Sequence, residues 1–487
     1  MAEKIIGKSI FESMKAYNIL PFKMSHHHHD KYLLSNDYGD WCILDRSDAY
    51  DLVLRKIQSH SKLYNMLKAK HFLYDDSCSV HFGLLASKYK TKKSFIDGFS
   101  KLHIFVLTIR CNHSCTYCQV SRKTENANID TYDMSENVLI ASIKLMLETP
   151  SKNVTMEFQG GESMLNMPLV RKAVLLSKEL NSIVGKTIQY VICTNLSNIT
   201  MDDLLFFKQH NVLISTSIDG PEFLHNKSRV CGKFNSYEYV TKNIITTRNF
   251  LGHGSVSALM TTTKDSLAYH KEIIDEYVSL GFESVFIREL NPYGFAVKSF
   301  KKIGYTTNEF IEFYKKCLTY IIDLNKSGIK FRENYASIIL KKLMTPLSVG
   351  FVDLQSPCGT GFGVTLYNYN GDVYPSDESR MIAESGDEFF RLGNVLADDY
   401  DDIFFSEKMQ LIASAAITDS LPQCSDCAYS PFCGAEPVRH YQTQKDVFGH
   451  RADDSFCTKN KEIIKTIIDI INSGSDEEKN ILMGWII

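Results

Sequence analysis

The chain has 487 residues, of which 44% are hydrophobic, 23% charged and 11% aromatic. That is an ordinary globular composition and excludes disorder as the main state. Its 54 Lys+Arg against 57 Asp+Glu leave a net charge of −3, so no general attraction to nucleic acid or to an anionic membrane surface is expected. No run of about 18 apolar residues exists to span a bilayer, and Met1 to Lys15 lacks an apolar secretion segment. A cytoplasmic protein of two or three domains is expected.

Residues 1–100 predict a small module. Lys31–Leu34 and Asp40–Leu44 are apolar runs joined by a loop with hairpin chemistry, and helical stretches follow at Ser47–Gln58 and Lys62–Ala69. The pattern is winged-helix-like, and its edge strand suits an added peptide strand. A plain barrel-capping extension fits the same pattern. The run His26 to His29 could bind a metal, but it is read as a solvated loop because no carboxylate or thiolate ligand set surrounds it.

Residues 101–330 alternate strands and helices. Strands are predicted at Leu102–Ile109, Asn153–Gly160, Thr187–Asn195, Val212–Asp219, Ser255–Thr262 and Glu283–Leu290. Their near-continuous apolar character suggests parallel strands covered on both faces. Helices are predicted between them at Ser135–Glu148, Met167–Asn181, Met201–His210, Ser236–Phe250 and Ser266–Leu280. Six such units predict an α/β fold with a partial (β/α)6 barrel, two units short of a full one. Two more helices, Asn308–Asn325 and Asn334–Met344, lead into a cysteine-rich segment at 331–487.

The 13 cysteines point to thiolate chemistry in a reducing compartment rather than to disulfides. Cys42, Cys78, Cys193, Cys231 and Cys317 are scattered and read as small core residues. Cys111, Cys115 and Cys118 form a Cys-x3-Cys-x2-Cys loop at the C-terminal end of the first strand, where barrel enzymes keep their active sites. Three thiolates suit three corners of a [4Fe–4S] cube and leave one iron open. A zinc site completed by His113 is the alternative.

Cys-x3-Cys-x2-Cys with Tyr117 before the third cysteine, after the first of six βα units, resembles the radical S-adenosylmethionine (SAM) superfamily. Phe158-Gln-Gly-Gly-Glu162 ends the second strand and resembles the family's Gly-Gly-Glu segment, although Ser163 stands where proline commonly follows. The resemblance implies that Cys111, Cys115 and Cys118 hold a [4Fe–4S] cluster. It also implies that Tyr117, Gly160, Gly161, Glu162, Asn195, Ser217 and Arg229 bind SAM. The glycines are expected to let the backbone approach the ligand. The implied activity is reductive cleavage of SAM to a 5′-deoxyadenosyl radical that abstracts hydrogen from an unactivated carbon, with flavodoxin or ferredoxin as electron donor.

Cys424, Cys427, Cys433 and Cys457 resemble the C-terminal SPASM domain of peptide- and protein-modifying members, which implies one auxiliary [4Fe–4S] cluster. A zinc ribbon is the alternative. The first auxiliary set is incomplete. Ser376 replaces the cysteine of a Gly-x4-Cys step that starts at Gly371, Pro437 occupies the Cys-x3-Cys position after Cys433, and only Cys358 remains. By resemblance to sulfatase maturases, Asp377 is a candidate catalytic proton acceptor. Leu20-Pro-Phe22, Tyr374 to Glu378 and Phe432 to Pro437 resemble the B-type maturases of the His-Xaa-Ser peptide system. That implies a ribosomally made precursor peptide as substrate and a second, paired radical SAM protein. A sulfatase-maturase-like enzyme and a zinc-stabilised peptide-binding scaffold are the other readings.

Overall fold

A computed structural model describes residues 17–75 and 81–486; the Met1–Lys15 segment and Cys78 lie outside them. The N-terminal sheet has three antiparallel strands, β1 (Lys23–His28), β2 (Lys31–Ser35) and β3 (Trp41–Asp45). The predicted hairpin is β2–β3, and the histidine run adds a strand to it. Helices α1 (Arg46–Val53) and α2 (Lys62–Ala69) pack beneath, and Leu34, Leu44, Leu52, Leu67 and Phe72 make a core of their own.

The six predicted barrel strands are present as β4 (Leu102–Thr108), β5 (Asn153–Gly160), β6 (Thr187–Cys193), β7 (Val212–Ser217), β8 (Val256–Thr261) and β9 (Ile287–Arg288). They pair in parallel in chain order. Helices Glu136–Glu148, Met167–Val184, Met201–His210, Ser236–Leu251 and His270–Ser279 cover the outside. The capping box of Thr200 with Asp203 and the left-handed Gly185 after Val184 set helix ends where the sequence signals them.

Two expectations are corrected here. Only the outer face of most barrel strands packs on helices. Val154, Met156 and Phe158 of β5 are buried, whereas Thr155, Glu157 and Gln159 alternate with them and are partly exposed toward the interior. The sixth strand is also broken. Ser284–Val285 pairs with Arg332–Glu333, while Ile287–Arg288 pairs with β8. The fully buried Glu333 carboxylate explains the break, because it accepts hydrogen bonds from Ile287 N, Ala336 N and the Tyr314 hydroxyl.

The sheet runs on past the barrel. Strand β10 (Val364–Tyr367) lies parallel to β4 on its other side, and β11 (Asp372–Tyr374) and β12 (Gly393–Asn394) continue antiparallel. This addition buries both faces of β4, and the helix after β11, Asp377–Ala383, brings Asp377 and Met381 beside the cysteine loop. No described helix is long and apolar enough to cross a membrane.

Removing the Glu333 side chain leaves three donors unpaired in the interior. Glu333→Ala is therefore expected to destabilise the barrel by about 3 kcal/mol or more, at about 1–3 kcal/mol for each donor, seen as a lower unfolding temperature than that of the parent, with Glu333→Gln affected less.

Candidate active site

The cysteine loop leaves β4 and is fixed at its base by an ion pair. Arg110 donates to both oxygens of Asp133, at 2.7 Å each, and to Glu125 O at 2.7 Å. Its middle pairs with Arg229–Val230, antiparallel, with Cys115 opposite Arg229. The end of β5 lies along the loop's other side, since Gly161 N donates to Thr108 O and Glu162 N to Arg110 O, at 2.8 Å each. A Cβ on Gly161 would collide with Arg110 O, and one on Gly160, where φ is +124°, with Thr108 O. The glycines are thus required by backbone-to-backbone contact with the root of the cysteine loop, and not only at a ligand face.

Cys111, Cys115, Cys118, Tyr117, Gly160, Gly161, Glu162, Asn195, Ser217, Arg229 and Asp377 all line one cavity of about 250 Å³. Every SAM-site residue inferred from sequence is therefore brought to one place. Their roles within it differ. Glu162 is buried, and its carboxylate accepts from Thr194 Oγ1 (2.6 Å), Asn195 N (2.8 Å) and Met164 N (3.0 Å). Burial raises its pKa against those bonds. Asn195 donates to Asn112 Oδ1 and lies 2.9 Å from His113 Nδ1, bracing the cysteine loop.

Arg229 sits over the Tyr117 ring and donates to Asp219 Oδ2 at 3.1 Å, and the Tyr117 hydroxyl donates to the same carboxylate. Burial works against the charge on Arg229, but Asp219 outweighs it and the guanidinium stays charged. Asp219 was missed as a site residue because Asp-Gly-Pro reads as a turn.

The donor set suits a multi-iron cluster better than a single ion. Burial pushes the Cys111 thiol up strongly and that of Cys115 to about 12, so thiolates here need a cationic partner. Among the described residues, neither this set nor the C-terminal one brings three ligand atoms within 4.8 Å of one another. Four zinc–sulfur bonds of about 2.3 Å need sulfurs closer than that. His113 does not complete a zinc site, since Nε2 lies 2.8 Å from Ser236 Oγ and Nδ1 faces Asn112 and Asn195.

A second cavity of about 350 Å³ opens beside the first, and Gln119, Gln159, Leu259, Arg288 and Asp377 line both. It reaches into the region of the incomplete cysteine set. Ser376 caps helix Asp377–Ala383, accepting from Ser379 N at 3.2 Å. Pro437 opens helix Pro437–Gln444, whose cap Glu436 accepts from Arg439 N at 2.7 Å and Thr360 Oγ1 at 2.8 Å. Both cysteine-replacing residues thus start helices, a position that suits serine and proline. Cys358 is buried.

Sequence reasoning missed the charges of this second cavity. Burial raises Glu378, and burial together with Glu378 pushes Glu436 up to about 8. Glu289 goes the other way, held at about 2 by Arg439 and Lys459 in spite of burial. The usable signal was the polar alternation of β5. Cys193, expected in the core, lines the first cavity, because Ile192 takes the outward position at the end of β6. Cys231 is also only partly buried, whereas Cys42 and Cys317 are buried as expected. Cys424, Cys427, Cys433 and Cys457 converge on a small cavity, where Arg451 Nε donates to Cys424 Sγ at 3.0 Å.

Residues 105–287 match the model of the radical SAM superfamily. The chain carries a radical SAM domain. Proteins of this superfamily use a [4Fe–4S] cluster and SAM, and the cavity's donors fit both. The chain is 23% identical over 338 residues to a cysteine-type anaerobic sulfatase-maturating enzyme of Clostridium novyi, covering 66% of this chain and 83% of that one. It is 21% identical to the radical SAM cyclopropyl synthase TigE of Paramaledivibacter caminithermalis, covering 53% and 54%. Among solved structures, anSMEcpe with bound AdoMet superposes with a TM-score of 0.61 at 19% identity, covering 78% of this chain and 98% of that one. Streptococcus suis SuiB bound to its precursor peptide SuiA superposes with a TM-score of 0.52 at 13% identity, covering 91% and 99%. These likenesses establish a shared fold.

Glu436 has a folded pKa of about 8 against an ordinary 4.5. The unfolded chain therefore loses this proton first as pH rises, and stability falls between about pH 4.5 and 8. Glu436→Gln should remove that slope, so the variant's unfolding temperature gains on the parent's by roughly a few °C from pH 5 to pH 8.

Proposed function

We propose that this radical SAM enzyme is a maturase that takes a hydrogen atom from a ribosomally made precursor peptide and so installs a modification. The His-Xaa-Ser peptide system is the family that its softer motifs favour. The observation that carries the reading is the junction of the two cavities at Asp377 and Arg288, which joins the cavity at the cysteine loop to a larger, charged space. The superposition on SuiB, bound to its precursor peptide, over 91% of this chain supports a peptide substrate.

Cys111, Cys115 and Cys118 would hold the [4Fe–4S] cluster, with Tyr117, Gly160, Gly161, Glu162, Asn195, Ser217 and Arg229 around SAM. Together these groups supply a radical able to remove hydrogen from an unactivated C–H bond. The chain's own task is to orient the peptide and exclude water. The outward faces of the barrel strands seal the site from the helix side, and β10 to β12 close it beside β4. Asp377, which lines both cavities from the first turn of its helix, would accept a proton from the oxidised peptide. Cys424, Cys427, Cys433 and Cys457 would hold one auxiliary [4Fe–4S] cluster, which would supply a one-electron redox centre, and a flavodoxin- or ferredoxin-type protein would be the electron donor. Residues 1–100 would grip the peptide, 101–330 perform the chemistry and 331–487 carry the auxiliary cluster, with a second radical SAM protein as partner.

Anaerobic incubation with SAM, reductant and the precursor peptide should give a mass change in the peptide that depends on all three cysteines of the loop. Asp377→Asn should slow peptide modification by roughly 100-fold or more while SAM cleavage continues. Unchanged peptide modification in that variant would remove Asp377 from the mechanism. A peptide left unmodified while a sulfatase cysteine or serine is oxidised would favour the sulfatase-maturase reading.

A further inference from the structure

The run His26 to His29, expected as a solvated loop, is built into the contact between the N-terminal sheet and the C-terminal segment. Odd-numbered positions of β1 face that segment. Lys23 Nζ donates to Ser430 Oγ at 3.0 Å, Ser25 Oγ accepts from Ala428 N at 2.9 Å, and His27 Nδ1 lies 2.8 Å from the Tyr429 hydroxyl. Regular pleating would then turn His28 to the opposite face. It does not, because the β1–β2 register shifts between His26 and His28, leaving His27 as the extra residue of a bulge. The bulge points two consecutive imidazoles the same way, at Asp469 on helix Ser455–Ser473. His27 Nε2 is 2.8 Å from Asp469 Oδ1 and His28 Nε2 is 2.6 Å from Oδ2.

We propose that His27, His28 and Asp469 form a binding site for one divalent transition-metal ion of the zinc class, which pins the N-terminal sheet to the C-terminal helix. The three ligand atoms lie within 4.8 Å of one another. Two imidazoles and a carboxylate are a borderline donor set suited to zinc, nickel or cobalt, with water completing the shell. The second contact expected of a ligating histidine is in place, since Tyr429 holds His27 Nδ1. Its hydroxyl can donate or accept, so the tautomer that frees Nε2 costs no hydrogen bond. His27 is buried at 2% side-chain exposure, whereas His28 and Asp469 are 42% and 40% exposed. One ligand is thus rigid and the other two face an entry path for the ion. The site is independent of the SAM cavity and of the proposed function.

The test is zinc titration of the anaerobically reconstituted protein by calorimetry, with iron and sulfide counted before and after. The parent should bind one zinc ion per chain without losing iron. His28→Gln, which keeps a donor toward Asp469, and Asp469→Asn should each weaken that binding by about 10–100-fold or more with iron unchanged. X-ray absorption at the zinc edge of the parent should show nitrogen and oxygen neighbours only. Equal zinc binding in parent and variants, no binding at all, or sulfur neighbours at the zinc would each overturn the proposal.

Discussion

The site depends on a backbone clasp. The end of the second barrel strand, Gly160 to Glu162, hydrogen-bonds to Thr108 and Arg110 at the root of the cysteine loop, with no room for a Cβ between them. That contact determines where Cys111 begins. The loop's far side is held by the antiparallel pairing of Cys115 with Arg229, and Arg229 is held in turn by Asp219. An otherwise irregular loop of three thiols is therefore suspended between two strand ends and one buried ion pair. Burial around it raises the cost of bare thiolates, which is the condition under which a metal cluster contributes most to order.

Much of this was legible in the sequence because it is written locally. Parallel strands announce themselves as short apolar runs, and the cysteine spacing, Gly160-Gly161-Glu162 and Ser217 each stand at a strand end. The parts that were not legible depend on partners distant in sequence. Glu333 breaks the sixth strand from 46 residues away. Strand β10 joins the sheet beside β4 although some 260 residues separate them in the chain. The histidine run looked solvated because its carboxylate, Asp469, lies 441 residues further on. Cys193 looked like a core residue because one residue of pleat decides between the helix layer and the cavity.

In the second cavity, helix starts and carboxyl groups occupy the region of the incomplete cysteine set. Ser376 and Pro437 start helices there, and Glu378, Glu436 and Asp377 face the space those helices frame. Glu378 and Glu436, whose carboxyl groups burial favours in the protonated form, can hand over or take up a proton near neutral pH. The same segments still carry a complete four-cysteine set around a separate small cavity. In the proposed reading, proton handling and the auxiliary cluster thus fall in neighbouring parts of one C-terminal segment.

Two clusters per chain are expected, one held by Cys111, Cys115 and Cys118 and the other by the C-terminal cysteines. An iron and sulfide count on anaerobically reconstituted protein tests it most directly. About eight irons per chain, falling to about four when Cys111, Cys115 and Cys118 are changed to alanine, is the predicted result. About twelve irons would mean that the incomplete set around Cys358 still binds a cluster. About four irons with zinc in the remainder would make the C-terminal site structural, and no iron at all would contradict the account.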